Sequence, residues 1–325
     1  MTSMTVFANL RYDPVEPLVG SGDAAVAYFA RRDLVGEAAG DIRELWNLPL
    51  AKSIASRQQA NGSWKYPGGN ARIRSREDYD QIETFRQLGY LVEMYGGDRR
   101  HPSVAGAIEF LLGHQTTDGD IRGILGRQYA PYYTAAMTEL MIKAGYAEDP
   151  RVKKVFDWLE MMRQDDGGWA MPLRTRGARL EVISDGSAPL EPNRAKPFSH
   201  LITGMVLRAY AAHPRYRHTQ TARDAASLLA GRLFHRDAYS DRADPSFWTR
   251  FSYPFWFTDL ISATDSLTRI GYDPSDPALR AATQWLVDRQ QPNGLWELKA
   301  LKNRREFRTQ LWLSLAAARV LGRLS

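Results

Sequence analysis

Three charged side chains precede an apolar stretch and could carry proton chemistry: Asp80, Glu83 and Arg86. A carboxylic acid in an apolar pocket resists ionisation and can serve as a general acid. We therefore predict that Glu83 is the catalytic proton donor, supported by Asp80, and that Arg86 binds substrate. The structural alternative is that Glu83 is favoured by a helix dipole and pairs with Arg86 at helical spacing. Both interpretations stay open at this point.

A second set of candidates is rich in aromatic side chains. Residues 247–257 hold aromatics at high density, and aromatic faces stabilise cations by ~0.5 to 2 kcal/mol each. Ordinary core packing is the alternative role for such rings. His200 could act as an acid, a base or a donor to the substrate. The structural alternative is a histidine whose hydrogen bonds are satisfied within the fold. The predicted substrate-binding residues are Arg86, Tyr132, Tyr133, His200, Trp256, Phe257, Asp259 and Arg308.

One turn motif recurs along the chain. A helix end carrying Gln is followed by Asn-Gly or Asp-Gly, and usually by Trp, at residues 57–64, 114–120, 163–169 and 289–296. Glycine after a helical pattern is a stop signal, because it tolerates the left-handed conformation that closes a helix. Since the motif repeats, we assign its Gln and Trp residues to bracing the fold and exclude them from the catalytic set.

Two kinds of helix alternate around these turns. Segments such as 151–162 and 277–287 have one apolar stripe, as outer helices do. A second set is apolar all round and should be buried as an inner ring, with a threonine opening each member at one mouth. This inner set comprises residues 84–94, 134–144, 203–211, 258–270 and 309–321.

The alternation predicts an all-α fold, an α/α toroid: a closed double ring of about five to six helix hairpins. We expect residues 1–40 to be a leader packed on the ring and residues 41–325 to form a single toroid domain. An inserted loop is expected at 173–197, a stretch rich in Arg, Gly and Pro. Arginines after the Trp turns, such as Arg74 and Arg174, either clamp an anion or are solvated loop charges.

These turns and rings resemble the QW-type repeats of the terpenoid cyclase and protein prenyltransferase toroid superfamily, which includes squalene and hopene cyclases. The resemblance implies an apolar axial cavity that takes a lipid-like substrate. Residues 80–84 resemble the D-x-D-D-T motif of class II cyclases, but Ile82 stands where that motif has its protonating Asp. Prenyltransferases use a zinc site with a Cys ligand, and this chain has no Cys.

Composition excludes several other classes. Without cysteine there are no disulfides, thiolate chemistry or sulfur-ligated zinc, and we predict no cofactor and no metal. The net charge of +6 comes from 43 basic and 37 acidic residues that form no long basic run, so nucleic acid is not a predicted partner. No stretch approaches the roughly 20 apolar residues of a spanning helix. We expect a cytoplasmic protein, with peripheral membrane contact left open.

The favoured functional hypothesis is a terpenoid cyclase-like or prenyltransferase-like protein that binds an isoprenoid or other elongated apolar substrate in the central cavity. Acid-initiated cyclisation, an isomerase or lyase activity, is the reaction that the resemblance implies. Two alternatives come from other classes. One is a non-catalytic toroid that binds a lipid or a partner; the other is a carbohydrate-active hydrolase or lyase on an α/α toroid.

Overall fold

The computed structural model describes residues 10–179, 186–301 and 307–324. Residues 1–9 of the predicted leader and 180–185 of the predicted inserted loop lie outside the described residues. Within the described ranges there is no β-strand. The α-helices are α1 (Val15–Val19), α2 (Ala24–Ala30), α3 (Pro49–Ala55), α4 (Arg76–Tyr95), α5 (Pro102–Leu112), α6 (Pro131–Met141), α7 (Pro150–Met161), α8 (Pro172–Thr175), α9 (His200–Ala212), α10 (Gln220–Ala230), α11 (Leu260–Ile270), α12 (Pro277–Val287) and α13 (Phe307–Arg323).

The helices form two concentric rings. The inner ring runs α2, α4, α6, α9, α11 and α13, each packed on the next, and α13 returns to α2. Helices α3, α5, α7, α10 and α12 pack outside it against inner neighbours. The predicted α/α toroid is therefore confirmed. The segment predicted to be a leader supplies α2, which lies between α13 and α4; the domain division itself stays a prediction.

Outer helices begin at a sequence signal that combines a cap with a proline. Asp149 accepts a hydrogen bond from the Arg151 amide at 2.8 Å, and Pro150 takes the first helical position. Asp276 and Pro277 start α12 in the same way. A capping carboxylate satisfies an otherwise free amide, while proline has no amide to leave unsatisfied. These starts are therefore determined locally.

Helices α4, α6, α9 and α13 begin earlier than the threonines that we predicted to open them, whereas α11 begins two residues after Thr258. Helix α4 starts at Arg76 after the cap Ser75, so Thr84 lies in its third turn. The hydroxyl of Thr84 accepts a hydrogen bond from the Trp64 amide at 2.9 Å. Thr203 receives the Trp169 amide in the same manner, at 2.8 Å. The prediction was wrong because these threonines join the repeat turn to the inner helix instead of capping it.

Gln and Trp side chains of the repeat turns hold neighbouring hairpins together. The Gln58 amide donates to the Ser103 carbonyl in α5 at 2.8 Å, and the Gln290 amide donates to the Tyr12 carbonyl at 2.7 Å. The second bond joins the last repeat to the first described residues and closes the outer ring. The Trp64 indole donates to the carbonyl of Ile54 at the end of α3, at 2.8 Å. These contacts support the bracing role.

Glycine is required at the turns because a neighbouring backbone approaches closely. At Gly119, where φ is +113°, a Cβ would lie 2.4 Å from the carbonyl oxygen of Lys154 in α7. A Cβ at Gly62 would lie 2.2 Å from the carbonyl oxygen of Gly106, and one at Gly294 would lie 2.3 Å from that of Asp13. Both the left-handed conformation and the close contact exclude a side chain.

None of the helices in the described ranges is long and apolar enough to span a membrane.

Candidate functional site

A cavity of about 700 Å³ lies inside the ring, and we call it the axial cavity. Its wall combines residues of α4, α6, α9 and the start of α13 with residues 251–257, here called the axial segment. The aromatic part of the wall consists of Tyr66, Phe85, Tyr90, Phe251, Tyr253, Phe255, Trp256 and Phe257. A packed ring thus encloses an aromatic chamber.

Helix α4 presents one face to this cavity. Ile82, Phe85 and Arg86 line it, whereas Asp80 and Glu83 are not part of the wall. Successive helical residues point about 100° apart, so a position next to a cavity-facing residue can point away from it. Ile82 occupies the position where the class II motif has its protonating Asp, and its side chain faces the chamber.

Asp80 holds the loop that precedes α4. Its carboxylate accepts hydrogen bonds from the Tyr66 amide at 2.8 Å and from the Gln59 side chain at 3.2 Å. Arg76 completes the set with a guanidinium nitrogen 3.1 Å away. Both carboxylate oxygens of Asp80 are therefore engaged in fixing the turn between α3 and α4.

Glu83 is buried and paired within its own helix. One carboxylate oxygen accepts from the Arg86 guanidinium at 2.8 Å, and the other accepts from the Gln87 amide at 2.5 Å. The arrangement matches the ion pair of the structural interpretation. Glu83 as proton donor stays a prediction: its carboxylate does not line the cavity, and both of its oxygens accept hydrogen bonds within α4.

The axial segment folds into the interior of the ring. Trp256 packs against Phe85 with ring centroids 4.9 Å apart, and the Arg86 guanidinium lies 5.7 Å from the Trp256 ring. Tyr253 stacks on Trp312 of α13 at 5.2 Å. Of the predicted aromatic candidates, Trp256 and Phe257 therefore do line the cavity, and they do so from a loop.

Tyr132 and Tyr133 lie together at the start of α6, with ring centroids 4.3 Å apart. Tyr133 also meets the edge of Phe85 at 6.3 Å. Burial raises the pKa of both phenols, so both stay protonated at neutral pH. Neither belongs to the wall of the axial cavity; they pack behind Phe85.

His200 lies away from the axial cavity, under the loop that follows α10. Its Nδ1 is 3.4 Å from a carboxylate oxygen of Asp237, and its ring lies 4.6 Å from that of Trp248. Burial lowers the pKa of His200 despite the nearby carboxylate. The surroundings are those of a core histidine that packs against an aromatic ring.

Asp259 caps α11 just after the axial segment. Its carboxylate accepts from the Ser262 amide at 2.8 Å, and the Ser262 hydroxyl accepts from the Asp259 amide at 2.9 Å. Burial raises the pKa of Asp259 to about 7, although the hydrogen bonds from Ser262 act to lower it. It is therefore a buried carboxyl group with substantial protonation at neutral pH.

Arg308 contributes to ring closure and is not part of the axial wall. Its guanidinium donates to Asp23, the cap of α2, at 2.7 Å and to the Tyr95 hydroxyl at 2.8 Å. The loop arginines are also engaged: Arg74 donates to the Ile124 carbonyl, and Arg174 pairs with Asp241. Arg74 and Arg174 thus hold loops together.

Sequence reasoning missed four charged residues on the cavity wall: Glu93 of α4, Glu139 of α6, Arg208 of α9, and Arg242. Nε of Arg208 donates to Glu139 at 2.8 Å, and Glu139 also accepts from Lys143 at 2.7 Å. A usable signal was present, because a charged side chain in a helix that is otherwise apolar all round has to face a partner or a cavity.

A second space of about 790 Å³ lies where the inner helices end, and we call it the charged chamber. It is lined by Arg32, Asp33, Glu93, Lys143, Arg269, Arg319 and Arg323, among others. Glu93 also lines the axial cavity, so the two spaces adjoin. In the described part of the chain, no group of three or more His, Asp or Glu residues is arranged to hold a metal ion.

A family model, the squalene-hopene cyclase C-terminal domain, matches residues 80–176 of this chain. The matched span begins within α4 and extends through α5, α6 and α7 into the turn after α8. The resemblance to the terpenoid cyclase superfamily is thereby confirmed, on a span that includes two inner helices. A comparison with curated proteins finds no match.

Solved structures of low sequence identity also match. The apo type II terpene cyclase MstE from Scytonema is 15% identical, over 95% of this chain and 98% of that one, with a TM-score of 0.44. A variant of that cyclase in complex with its substrate, geranylgeranyl dihydroxybenzoate, is 16% identical over 95% of this chain and 98% of that one, with a TM-score of 0.44. A protein from Actinoplanes is 17% identical over 92% of this chain and 89% of that one, with a TM-score of 0.42. Likeness at this level carries no argument about function.

Proposed function

We propose that this protein binds an isoprenoid or another elongated apolar molecule in the axial cavity. The observation that carries the proposal is the aromatic wall, to which Phe85, Phe255 and Trp256 contribute. The cavity volume of about 700 Å³ falls in the range of ~300 to 1,000 Å³ that is usual for small-molecule sites. The family match over residues 80–176 supports the same substrate class.

Acid-initiated cyclisation is the finer proposal for the reaction. A carboxylic acid would add a proton to one alkene carbon, the next alkene would attack the resulting cation, and loss of a proton would end the reaction as an isomerisation. Trp256 and Phe85 present faces that can stabilise the cation. Glu83 remains the predicted donor, on the strength of its place in the motif and its burial, at 6% exposure.

Non-catalytic binding is the second candidate, and Ile82 favours it. This side chain lines the cavity at the motif position of the acid, and an isoleucine has no proton to donate. The two candidates share the ligand and differ only in turnover. The carbohydrate-active alternative, the cytoplasmic location and the absence of a cofactor remain predictions.

Filling the cavity tests binding. Gly89 lies on the wall, and a Cβ there would make only ordinary contacts, 3.8 Å from Leu140 and Pro254. Gly89→Leu should therefore occupy ligand space and weaken the binding of geranylgeraniol, measured by titration calorimetry, by about tenfold or more. Gly89→Ala is the matched control and should stay within about twofold. Failure of the natural chain to bind any polyprenol would remove the proposal.

Product analysis separates the two candidates. If the protein is a cyclase, incubation with geranylgeraniol or squalene yields a cyclic isomer, and Glu83→Gln abolishes it while retaining ligand binding. Glutamine keeps an acceptor for Arg86, so only a modest loss of stability, about 1 kcal/mol, is expected. Recovery of unchanged ligand from the natural chain would establish non-catalytic binding. Cyclisation that survives in Glu83→Gln would exclude Glu83 as the acid.

A further inference from the structure

Arg208 is a guanidinium placed deep inside the ring with too few partners. It is 4% exposed, lies in the apolar helix α9 and lines the axial cavity. Its one hydrogen bond within the described residues runs from Nε to Glu139, and the buried Nη1 has no partner there. Arginine keeps its charge at any physiological pH, so the unmade hydrogen bond is costly in the empty protein.

Arg242 is a second cation on the same wall, and it has no acidic partner. Its guanidinium lies 4.0 Å from the centre of the Phe257 ring and 5.1 Å from that of Phe247. No ion pair or hydrogen bond joins it to another described residue. Its φ of +51° is a left-handed conformation that a residue other than glycine seldom adopts. Strain of this kind is concentrated where it serves a function.

The charge balance of the cavity is positive. On the wall, Arg86, Arg208 and Arg242 are positive and Glu93 and Glu139 are negative. Two ion-pair partners that lie off the wall, Glu83 and Lys143, carry opposite charges and leave this balance unchanged. Asp259 lies close enough to Arg208 to interact electrostatically, but its carboxylate is bonded to Ser262 instead. One positive charge and the buried Nη1 of Arg208 are therefore left without a counterpart among the described residues.

We propose that the ligand of the axial cavity carries an anionic head group, a carboxylate or a phosphate, which Arg208 and Arg242 bind. Guanidinium groups offer paired N–H donors that match the oxygens of these anions. The apolar tail then lies along Phe85, Phe255 and Trp256. The inference rests on the proposed function and narrows it from an apolar molecule to an amphipathic acid.

Three ligands with one tail test this: geranylgeraniol, geranylgeranoic acid and geranylgeranyl phosphate, each titrated into the full chain. At least one of the two anions should bind about tenfold or more tightly than the alcohol. The anion that shows the higher affinity identifies the head group. Equal affinity for all three would overturn the inference and leave the proposed function standing. Binding of none of the three would overturn both.

Variants assign the effect to the two arginines. Arg242→Gln should reduce the anion's advantage over the alcohol several-fold. Arg250→Gln is the matched control, because Arg250 also lies over Phe247, at 4.5 Å, but does not line the cavity. Arg208→Lys keeps a charge for Glu139 but loses the paired donors, and should reduce the advantage further. An advantage that survives both Arg242→Gln and Arg208→Lys would contradict the assignment.

Discussion

The axial cavity and the charged chamber adjoin within one ring, yet they treat their arginines differently. In the charged chamber, Arg319 pairs with Asp33 at 2.6 Å and donates to the Tyr253 hydroxyl at 3.1 Å. Arg269 and Arg323 share Asp265. In the axial cavity, among the described residues, Arg208 has one hydrogen-bonded partner and Arg242 has none. An arginine whose guanidinium is paired with carboxylates is held by the fold. An arginine with unpaired N–H donors can still bind a ligand.

The pKa values of three aspartates, Asp265, Asp33 and Asp259, differ in the same sense. Burial would raise the pKa of Asp265, but Arg269 and Arg323 outweigh it and hold that pKa well below the ordinary value. Arg319 lowers the pKa of Asp33 in the same way. Beside the axial cavity, burial prevails and raises the pKa of Asp259 to about 7. Asp265 and Asp33 are thus fully ionised partners at neutral pH.

The largest expected effect comes from breaking the charged chamber. Asp265→Asn leaves Arg269 and Arg323 without their shared carboxylate, and loss of one member of a buried ion pair costs about 3 to 5 kcal/mol. We expect the free energy of unfolding, measured with urea at neutral pH, to fall by about 3 kcal/mol, toward the low end because both arginines are partly exposed. Affinity for the ligand should not change.

Arg242→Gln is the control on the other side of the comparison. Arg242 has no acidic partner in the described part of the chain, and burial lowers its pKa, which means that its surroundings disfavour the charge. Removing the charge should leave the free energy of unfolding within about 0.5 kcal/mol, or raise it slightly. Similar losses in Asp265→Asn and Arg242→Gln would show that the two spaces do not differ.

A smaller, pH-dependent effect is expected at Asp259. Its pKa rises from an ordinary 3.8 to about 7 on folding, so between these values the unfolded chain loses a proton that the folded chain keeps. Stability therefore falls as the pH rises through that window, by about 2.5 kcal/mol between pH 5 and pH 7.5. Asp259→Asn keeps a good capping residue and should become more stable than the natural chain between about pH 5 and pH 7.5.

The check is to measure the free energy of unfolding of Asp259→Asn and of the natural chain at about pH 5 and pH 7.5 and to compare the difference between the two proteins at each pH. Taking the difference cancels the other titrating groups, including the ion-paired carboxylates of the charged chamber. A difference that does not grow with pH would mean that Asp259 is ionised in the folded protein. Its surroundings would then resemble those of Asp265, and the comparison between the two spaces would lose one of its supports.

The sequence by itself determined the repeating frame of this protein. Asp-Pro pairs such as Asp149 and Pro150 start outer helices, and turn glycines such as Gly119 have φ values that only glycine adopts readily. These signals act within a few residues of the chain, so they can be recognised without the fold. The same local signals, repeated, gave the toroid and the bracing role of Gln and Trp correctly.

Tertiary structure decided which residues meet in the cavity. A helix that is apolar all round does not reveal which face points inward, so neighbours such as Ile82 and Glu83 could not be told apart in sequence. The pairing of Arg208 with Glu139 joins helices 69 residues apart. The axial segment lines the chamber only because it folds into the ring. Local chemistry fixes turns and helix ends, whereas the site is formed by contacts between distant segments.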